Sequence, residues 1–373
     1  MLVYYLVIVS VLFLAAYAQK KDSSIPCTGN GLIHPPPLGY FPHSPEAFKL
    51  FFVMAAIPIL VAGLRFQVGT DYGGYYLRWE DVYANRFWSS LISLDEPGFR
   101  FIAYITQRLG AKTGAMAMFL ASLITIGLGY WTVYRNVQHL FLPSVLFLFL
   151  GNWIASFNAV RQCLAASIVF AGYPFLRDKK LWKYAAMVAL AYLFHRSSIL
   201  MIVPFFFLHR RVDWKSITLV MLGTIVLLNS YERLFRLTGI VLEEEIDLEN
   251  LSTYSYSMVN RLRILTNVAP AAFFLYVHFS TGKKYMFSDF FLNILILNAS
   301  ISVAAMNSPL FSRYSLYIFP FMPLALSDMT EKTPMKIRKP IVVIMIFLYA
   351  FFVIYECNKS FALNHFQWIW NAV

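Results

Sequence analysis

From Ala47 to Gly63, from Ala115 to Trp131 and from Ile341 to Tyr355 the chain is apolar, with Lys49 the one charged side chain in all three runs. Such runs approach the roughly 20 residues that a helix needs to cross a bilayer, and about a dozen of them recur along the 373 residues. They are too continuous for barrel strands, in which apolar and polar residues alternate. Composition agrees: 59% of residues are apolar and 13% charged, against about 25% charged in a soluble domain. The fold class expected is an all-α polytopic membrane protein.

The net charge of +12 does not indicate nucleic acid, because the basic residues fall between the apolar runs and so report topology. Cys27, Cys163 and Cys357 are far apart and lack metal-ligand spacing, so neither a disulfide framework nor a zinc site is expected, and no cofactor is implied. Met1 to Ala18 ends in a small-residue stretch like a signal-peptide cleavage site. Its basic residues, Lys20 and Lys21, follow the apolar run instead of preceding it, which makes it a first transmembrane helix with its N-terminus outside.

Short loops rich in lysine mark the cytoplasmic side. Lysines cluster at Lys20 and Lys21, at "RDKKLWK" (Arg177 to Lys183), at Lys283 and Lys284, and at "EKTPMKIRKP" (Glu331 to Pro340). Counting from an outside N-terminus predicts twelve spans: Leu2 to Ala18, Ala47 to Leu64, Ala115 to Tyr134, Leu140 to Phe157, Ala159 to Leu176, Trp182 to Phe194, Ser198 to Leu208, Ser216 to Ser230, Leu262 to Thr281, Met286 to Met306, Tyr314 to Leu326 and Ile341 to Cys357. The sixth and seventh are short and can form one broken hairpin around "FHRSS". Both termini then lie outside.

This arrangement puts twelve of the fourteen lysines inside, yet Arg65, Arg78, Arg86, Arg100, Arg108, Arg161, Arg196, Arg233, Arg236, Arg261, Arg263 and Arg313 outside. A preference for guanidinium over ammonium points to bidentate recognition of phosphate or carboxylate. Two outer segments are large. Residues 65–114 include "EPGFRFIAYITQRLG", which reads as an interfacial helix with Phe99, Ile102, Ile105 and Leu109 on one face. Residues 231–260 read as an acidic helix or lid, and the Pro-rich stretch from His34 to Pro45 as a cytoplasmic linker.

Four features share the outer side. They are "RFQVGTDYGGY" with Arg65, Gly69, Asp71 and Gly73; "NAVRQCLA" with Asn158, Arg161 and Gln162; "FHRSS" with His195; and "SRYSLY" with Arg313. An arginine with apolar residues beyond it costs about 2.5 to 3.5 kcal/mol at mid-bilayer and usually faces a polar cavity, so Arg161 is read as functional. Arg65 and Arg313 can bind an anion or snorkel, and Asp71 can take a proton or pair with Arg65. Tyr72 and Tyr75 suit an aromatic belt or a sugar-stacking surface. Arginines that neutralise a pyrophosphate leaving group, with a histidine or aspartate base, describe glycosyl transfer from a polyprenyl-linked sugar.

"RFQVGTDYGGYY" (Arg65 to Tyr76), "DEPGF" (Asp95 to Phe99), "NAVRQCLAASI" (Asn158 to Ile168), "FHRSSIL" (Phe194 to Leu200) and "SRYSLYI" (Ser312 to Ile318) together resemble the EpsG-like branch of the Wzy polysaccharide polymerases. The resemblance implies a metal-independent membrane glycosyltransferase of GT-C-like architecture in the bacterial inner membrane. Such an enzyme acts at the periplasmic face on undecaprenyl-pyrophosphate-linked oligosaccharides, alongside a chain-length regulator protein. It assigns Arg65, Arg161 and Arg313 to pyrophosphate and His195 or Asp71 to the base; Asn158, Gln162, Tyr72, Tyr75 and Glu96 are the substrate contacts expected beside them. Arg196 directly follows the histidine, so His195 can also orient or pair. A lipid-linked oligosaccharide flippase and a membrane O-acyltransferase are the rival readings. The first needs polar residues on both sides of the bundle, the second a cytoplasmic route for its acyl donor.

Overall fold

The computed structural model describes residues 1–22, 41–226, 230, 261–281, 287–306 and 309–371. Cys27, most of the Pro-rich linker, the acidic lid and Lys283 with Lys284 lie outside the described residues. Two compact units emerge: Met1–Ile199 with Val343–Val373, and Leu200–Val342.

The first unit is built on α1 (Leu2–Asp22), α2 (Pro45–Gly63) and α6 (Ala115–Asn136), with α2 packed against both of the others. Sequence sets the start of α2 sharply. Ser44 Oγ accepts from Ala47 N at 3.1 Å, Pro45 occupies the first helical position, where no N–H is needed, and Glu46 complements the dipole. Between α2 and α6 lie strand β1 (Arg65–Phe66), α3 (Tyr72–Leu77), a π-helical turn (Trp79–Ala84), α4 (Phe87–Ser93) and α5 (Pro97–Arg108). The unit continues through α7 (Phe141–Phe149), α8 (Asn152–Asn158), α9 (Val160–Ala171), α10 (Tyr173–Arg177) and α11 (Leu181–Tyr192).

β1 pairs antiparallel with β2 (Gln367–Trp368), Arg65 opposite Trp368. Gly69 N donates to Ala362 O at 3.0 Å, Ile369 N to Leu64 O at 2.9 Å and Tyr4 Oη to Leu363 O at 2.8 Å, so this later segment is stitched to the entrance of the 65–114 region.

Among the described residues six helical stretches are long and apolar enough to cross a membrane: Leu2–Asp22, Pro45–Gly63, Ala115–Asn136, Phe141–Asn158 (α7 and α8 together), Arg261–Ser280 and Met335–Lys359. Other expected spans appear as shorter apolar helices, Val160–Ala171, Arg196–Phe207, Trp214–Val226 and Asp289–Ala304. The breaks have local causes. Gly151 at φ +94° divides α7 from α8, and Gly172 followed by Pro174 divides α9 from α10. The chain is an all-α multi-pass membrane protein.

The expected helix over "PGFRFIAYITQR" is present as α5, but its buried stripe is Phe99, Ile102, Ala103 and Thr106, and Leu109 is 65% exposed. Ala103 packs with Trp79 and Ala84 of the π-helical turn, which rotates the face away from Ile105 and Leu109.

In the second unit the helix Asp289–Ala304 packs against Arg261–Ser280, Pro309–Ile318 and Met322–Glu331. Asp289 Oδ1 accepts from Val212 N at 3.0 Å, and Asn293 Nδ2 donates to Arg210 O at 2.7 Å. These bonds satisfy carbonyls and amides of a turn that apolar neighbours could not.

Candidate functional site

The first unit gathers its polar side chains where the 65–114 region meets α8, α9 and the turn after α11. The "VGTD" loop leaves β1 and is held from two sides. Gly69 adopts φ +102°, and a Cβ there would stand 2.2 Å from Phe157 O, so only glycine fits. Asn158 Oδ1, at the end of α8, accepts from Thr70 N at 2.9 Å, and Thr70 Oγ1 donates to Asp71 Oδ1 at 3.0 Å. Asp71 is half-buried at the head of α3. Gly73, expected to admit a close approach, has nothing within 4 Å of a Cβ position.

Arg65 lies under this loop, 1% exposed. Its guanidinium donates to Val68 O at 3.0 Å, Ser122 Oγ at 3.3 Å and Ala62 O, and it covers the Phe157 ring at 4.6 Å. Those carbonyls include one at the C-terminal end of α2, where a cation also complements the helix dipole. An interior cation so enclosed positions the loop and has no face turned to a soluble anion.

Glu96 is the hub of the site. It precedes α5 with φ +44° and ψ 54°, a left-handed conformation that a glutamate adopts at a cost of about 1 kcal/mol or more. Three donors hold it there. Arg161 Nη1 reaches Oε2, His195 Nδ1 lies 2.8 Å from Oε1, and Arg196 N donates to Oε1 at 2.9 Å. Burial would raise the Glu96 carboxyl, but the His195 hydrogen bond, the Arg161 charge and the Arg196 amide outweigh it and hold it at about 2 instead of the ordinary 4.5. The ionised carboxylate only accepts, so His195 Nδ1 carries a proton. In the neutral ring Nε2 is then the lone-pair nitrogen. The His195 side chain keeps 17% exposure.

Arg161, second residue of α9, also donates Nε to Tyr75 Oη at 2.9 Å. Asp95, next to the hub, binds Arg100 Nη1 at 2.6 Å and Arg196 Nη2 at 2.8 Å. Arg196 Nε is buried without a hydrogen-bond partner among the described residues, so this guanidinium, held by Asp95, keeps unused donor capacity.

Sequence reasoning picked Arg161, His195, Glu96, Asp71 and Asn158, and the fold brings these into one unit. Tyr72 and Tyr75 are 1% and 7% exposed, with their rings against Tyr76 and Phe66, and against Tyr83 and Phe99. Neither offers a face to a sugar. Gln162 is buried in α9. Arg313, on the helix Pro309–Ile318, is exposed and belongs to the second unit. The Asp95, Arg100 and Arg196 cluster was missed as a unit. Its signal was present in "DEPGFR" and "HRSS", but the pairing joins residues about a hundred positions apart.

Gly98 brings the halves together. Its N–H donates to Leu193 O at 2.7 Å, and a Cβ there would stand 2.6 Å from the Phe194 ring. Gly98→Ala is expected to push the start of α5 off the 193–195 turn, lowering stability by about 1–3 kcal/mol and parting Glu96 from His195. The check is the thermal midpoint of purified protein, which an unstrained site would leave unchanged.

No curated protein and no solved structure matches the chain. The segments that build the Glu96 hub all fall within residues 48–369, the stretch that the model of the EpsG family matches, and the chain therefore belongs to the EpsG family.

Proposed function

We propose that the chain is a polysaccharide polymerase that moves a glycan from undecaprenyl pyrophosphate to the non-reducing end of a second lipid-linked unit, at the periplasmic face of the bacterial inner membrane. EpsG membership supports the polymerase class. One observation carries the chemistry: an ionised, buried Glu96 fixes His195 with Nδ1 protonated and Nε2 available, beside Arg196.

In this reading Nε2 takes the proton of the acceptor hydroxyl while its oxygen attacks the anomeric carbon. The bond from that carbon to the pyrophosphate oxygen breaks, and the electron pair departs with the pyrophosphate. Arg196 and Arg100, anchored by Asp95, face the growing negative charge. Arg161 holds the hub carboxylate and Arg65 the loop, so both act by positioning. Asp71 remains the second candidate base and Arg313 a second anion contact. The twelve-span topology, the GT-C-like architecture, outside termini and a chain-length regulator partner belong to the same proposal.

The test is gel profiling of surface polysaccharide in cells whose only copy carries His195→Gln or Arg196→Ala. Long chains are expected to vanish while single units still reach the surface. Long chains of normal length in His195→Gln would remove it as the base. Loss of single units as well would favour the flippase.

A further inference from the structure

We propose that the outward face of α4 is buried in the lipid at the headgroup boundary, where it sets the depth of the Glu96 hub. This goes beyond the polymerase reading and does not depend on it. The run from Phe87 to Leu94 has no charge. Trp88, Leu91 and Ile92 recur at helical spacing and are 59%, 41% and 87% exposed, and Leu94 adds 55%. Single exposed apolar residues are ordinary, but three together on a two-turn helix, with Leu94 at its left-handed cap, call for a cover.

The polar groups of α4 behave as lipid requires. Ser89 Oγ donates to Arg86 O at 2.9 Å, Ser90 Oγ to Phe87 O at 2.7 Å and Ser93 Oγ to Ser89 O at 3.0 Å. Every hydroxyl on the helix is thus turned onto its own backbone, and none is left for hydrocarbon to strand. Beneath the face is an aromatic shelf: Phe87 meets Phe101 at 5.4 Å and Tyr104 at 5.1 Å, and Trp88 meets Tyr104 at 5.8 Å. Arg108 lies over the Tyr104 ring at 5.1 Å, and Arg86 begins the helix. Tryptophan and tyrosine beside outward cations is the composition of a headgroup belt, and those cations complement the phosphates of phospholipid.

Position in the fold favours lipid over a protein partner. The 65–114 region is inserted between the end of α2 and the start of α6, two candidate spans packed on each other, and α5 packs on α6. α4, packed on α5, therefore sits where these helices meet the membrane surface. Glu96 follows Leu94 by two residues, so the height of α4 in the leaflet fixes the height of the hub.

Nitroxide labels report the surroundings directly. Ile92→Cys and Trp88→Cys would be labelled in the full chain carrying Cys27→Ser, since Cys163 and Cys357 are 7% and 0% exposed and out of reach of the reagent. Glu80→Cys, exposed on the π-helical turn, serves as the reference. In nanodiscs of phosphatidylethanolamine and phosphatidylglycerol, collisions with oxygen relative to a water-soluble nickel chelate are expected to be several-fold higher at 88 and 92 than at 80. An equal ratio at all three positions would place α4 in water and overturn the proposal. Labels at 88 and 92 shielded from both agents would overturn it in favour of a protein partner.

Discussion

Replacing Glu96 with glutamine is expected to abolish long-chain polymer and to cost about 3–5 kcal/mol of stability, the usual result of removing one partner from a buried ion pair. Glu96 accepts from Arg161, His195 and the Arg196 amide. A carboxamide has one acceptor oxygen and turns its NH2 toward a donor, so at least one of the three loses its partner. Arg161, 13% exposed, is then a poorly compensated cation, and the imidazole is free to turn. Losing an oriented base lowers turnover by about a hundred- to ten-thousandfold. Because the folded-state value of Glu96 is lowered from 4.5 to about 2, its contribution is complete above the unfolded value. It is lost as pH falls through the folded one. The stability gap between wild type and Glu96→Gln therefore holds through neutral pH and closes only in strong acid. Equal melting temperatures at pH 7, with long polymer retained, would sink this account of the hub.

Gly69→Ala is the second large effect. The added Cβ would stand 2.2 Å from Phe157 O, 2.8 Å from its carbonyl carbon and 3.2 Å from Asn158 Oδ1, on a backbone at φ +102°. Phe157 O belongs to α8, so relief requires the loop to lift. That breaks Gly69 N to Ala362 O and Thr70 N to Asn158 Oδ1, and it displaces Asp71. A loss of about 1–3 kcal/mol with shortened or absent polymer is expected. Gly73→Ala is the contrast: with nothing within 4 Å and a helical position in α3, it should leave stability unchanged or raise it by up to about 1 kcal/mol. Thermal unfolding of the two variants side by side decides the matter, and equal midpoints would refute the steric reading of Gly69.

The membrane class was legible because hydrocarbon constrains composition over long windows, and the runs from Leu2, Ala47, Ala115 and Ile341 each became a long helix. Helix breaks were less legible. Gly151 and Gly172 interrupt apolar runs whose side chains alone continue without change. In the site, residue type pointed to Arg161 and His195, whose polar ends are costly among apolar neighbours, and the fold sets both on the Glu96 carboxylate. Arg65 looked equivalent by that same criterion. Its partners are mostly backbone carbonyls, which exist at every residue and leave no mark in sequence. Tyr72 and Tyr75 misled for a related reason: an aromatic residue near a polar cluster is as useful inside as outside, and here the rings pack inward against Phe66 and Tyr76 and against Tyr83 and Phe99.

The stitching of the loop to Ala362, Leu363 and the β2 strand has a consequence for the order of assembly. Gly69 and its partner Ala362 are separated by roughly 300 residues of synthesis, or about 15–60 s at ordinary elongation rates. Throughout that interval the early helices can already be inserted while the loop that carries Asp71 lacks one of its two anchors. A ribosome-bound chain is thus held short of a fully anchored 68–71 loop until the distal clasp has emerged, a timing written into connectivity alone.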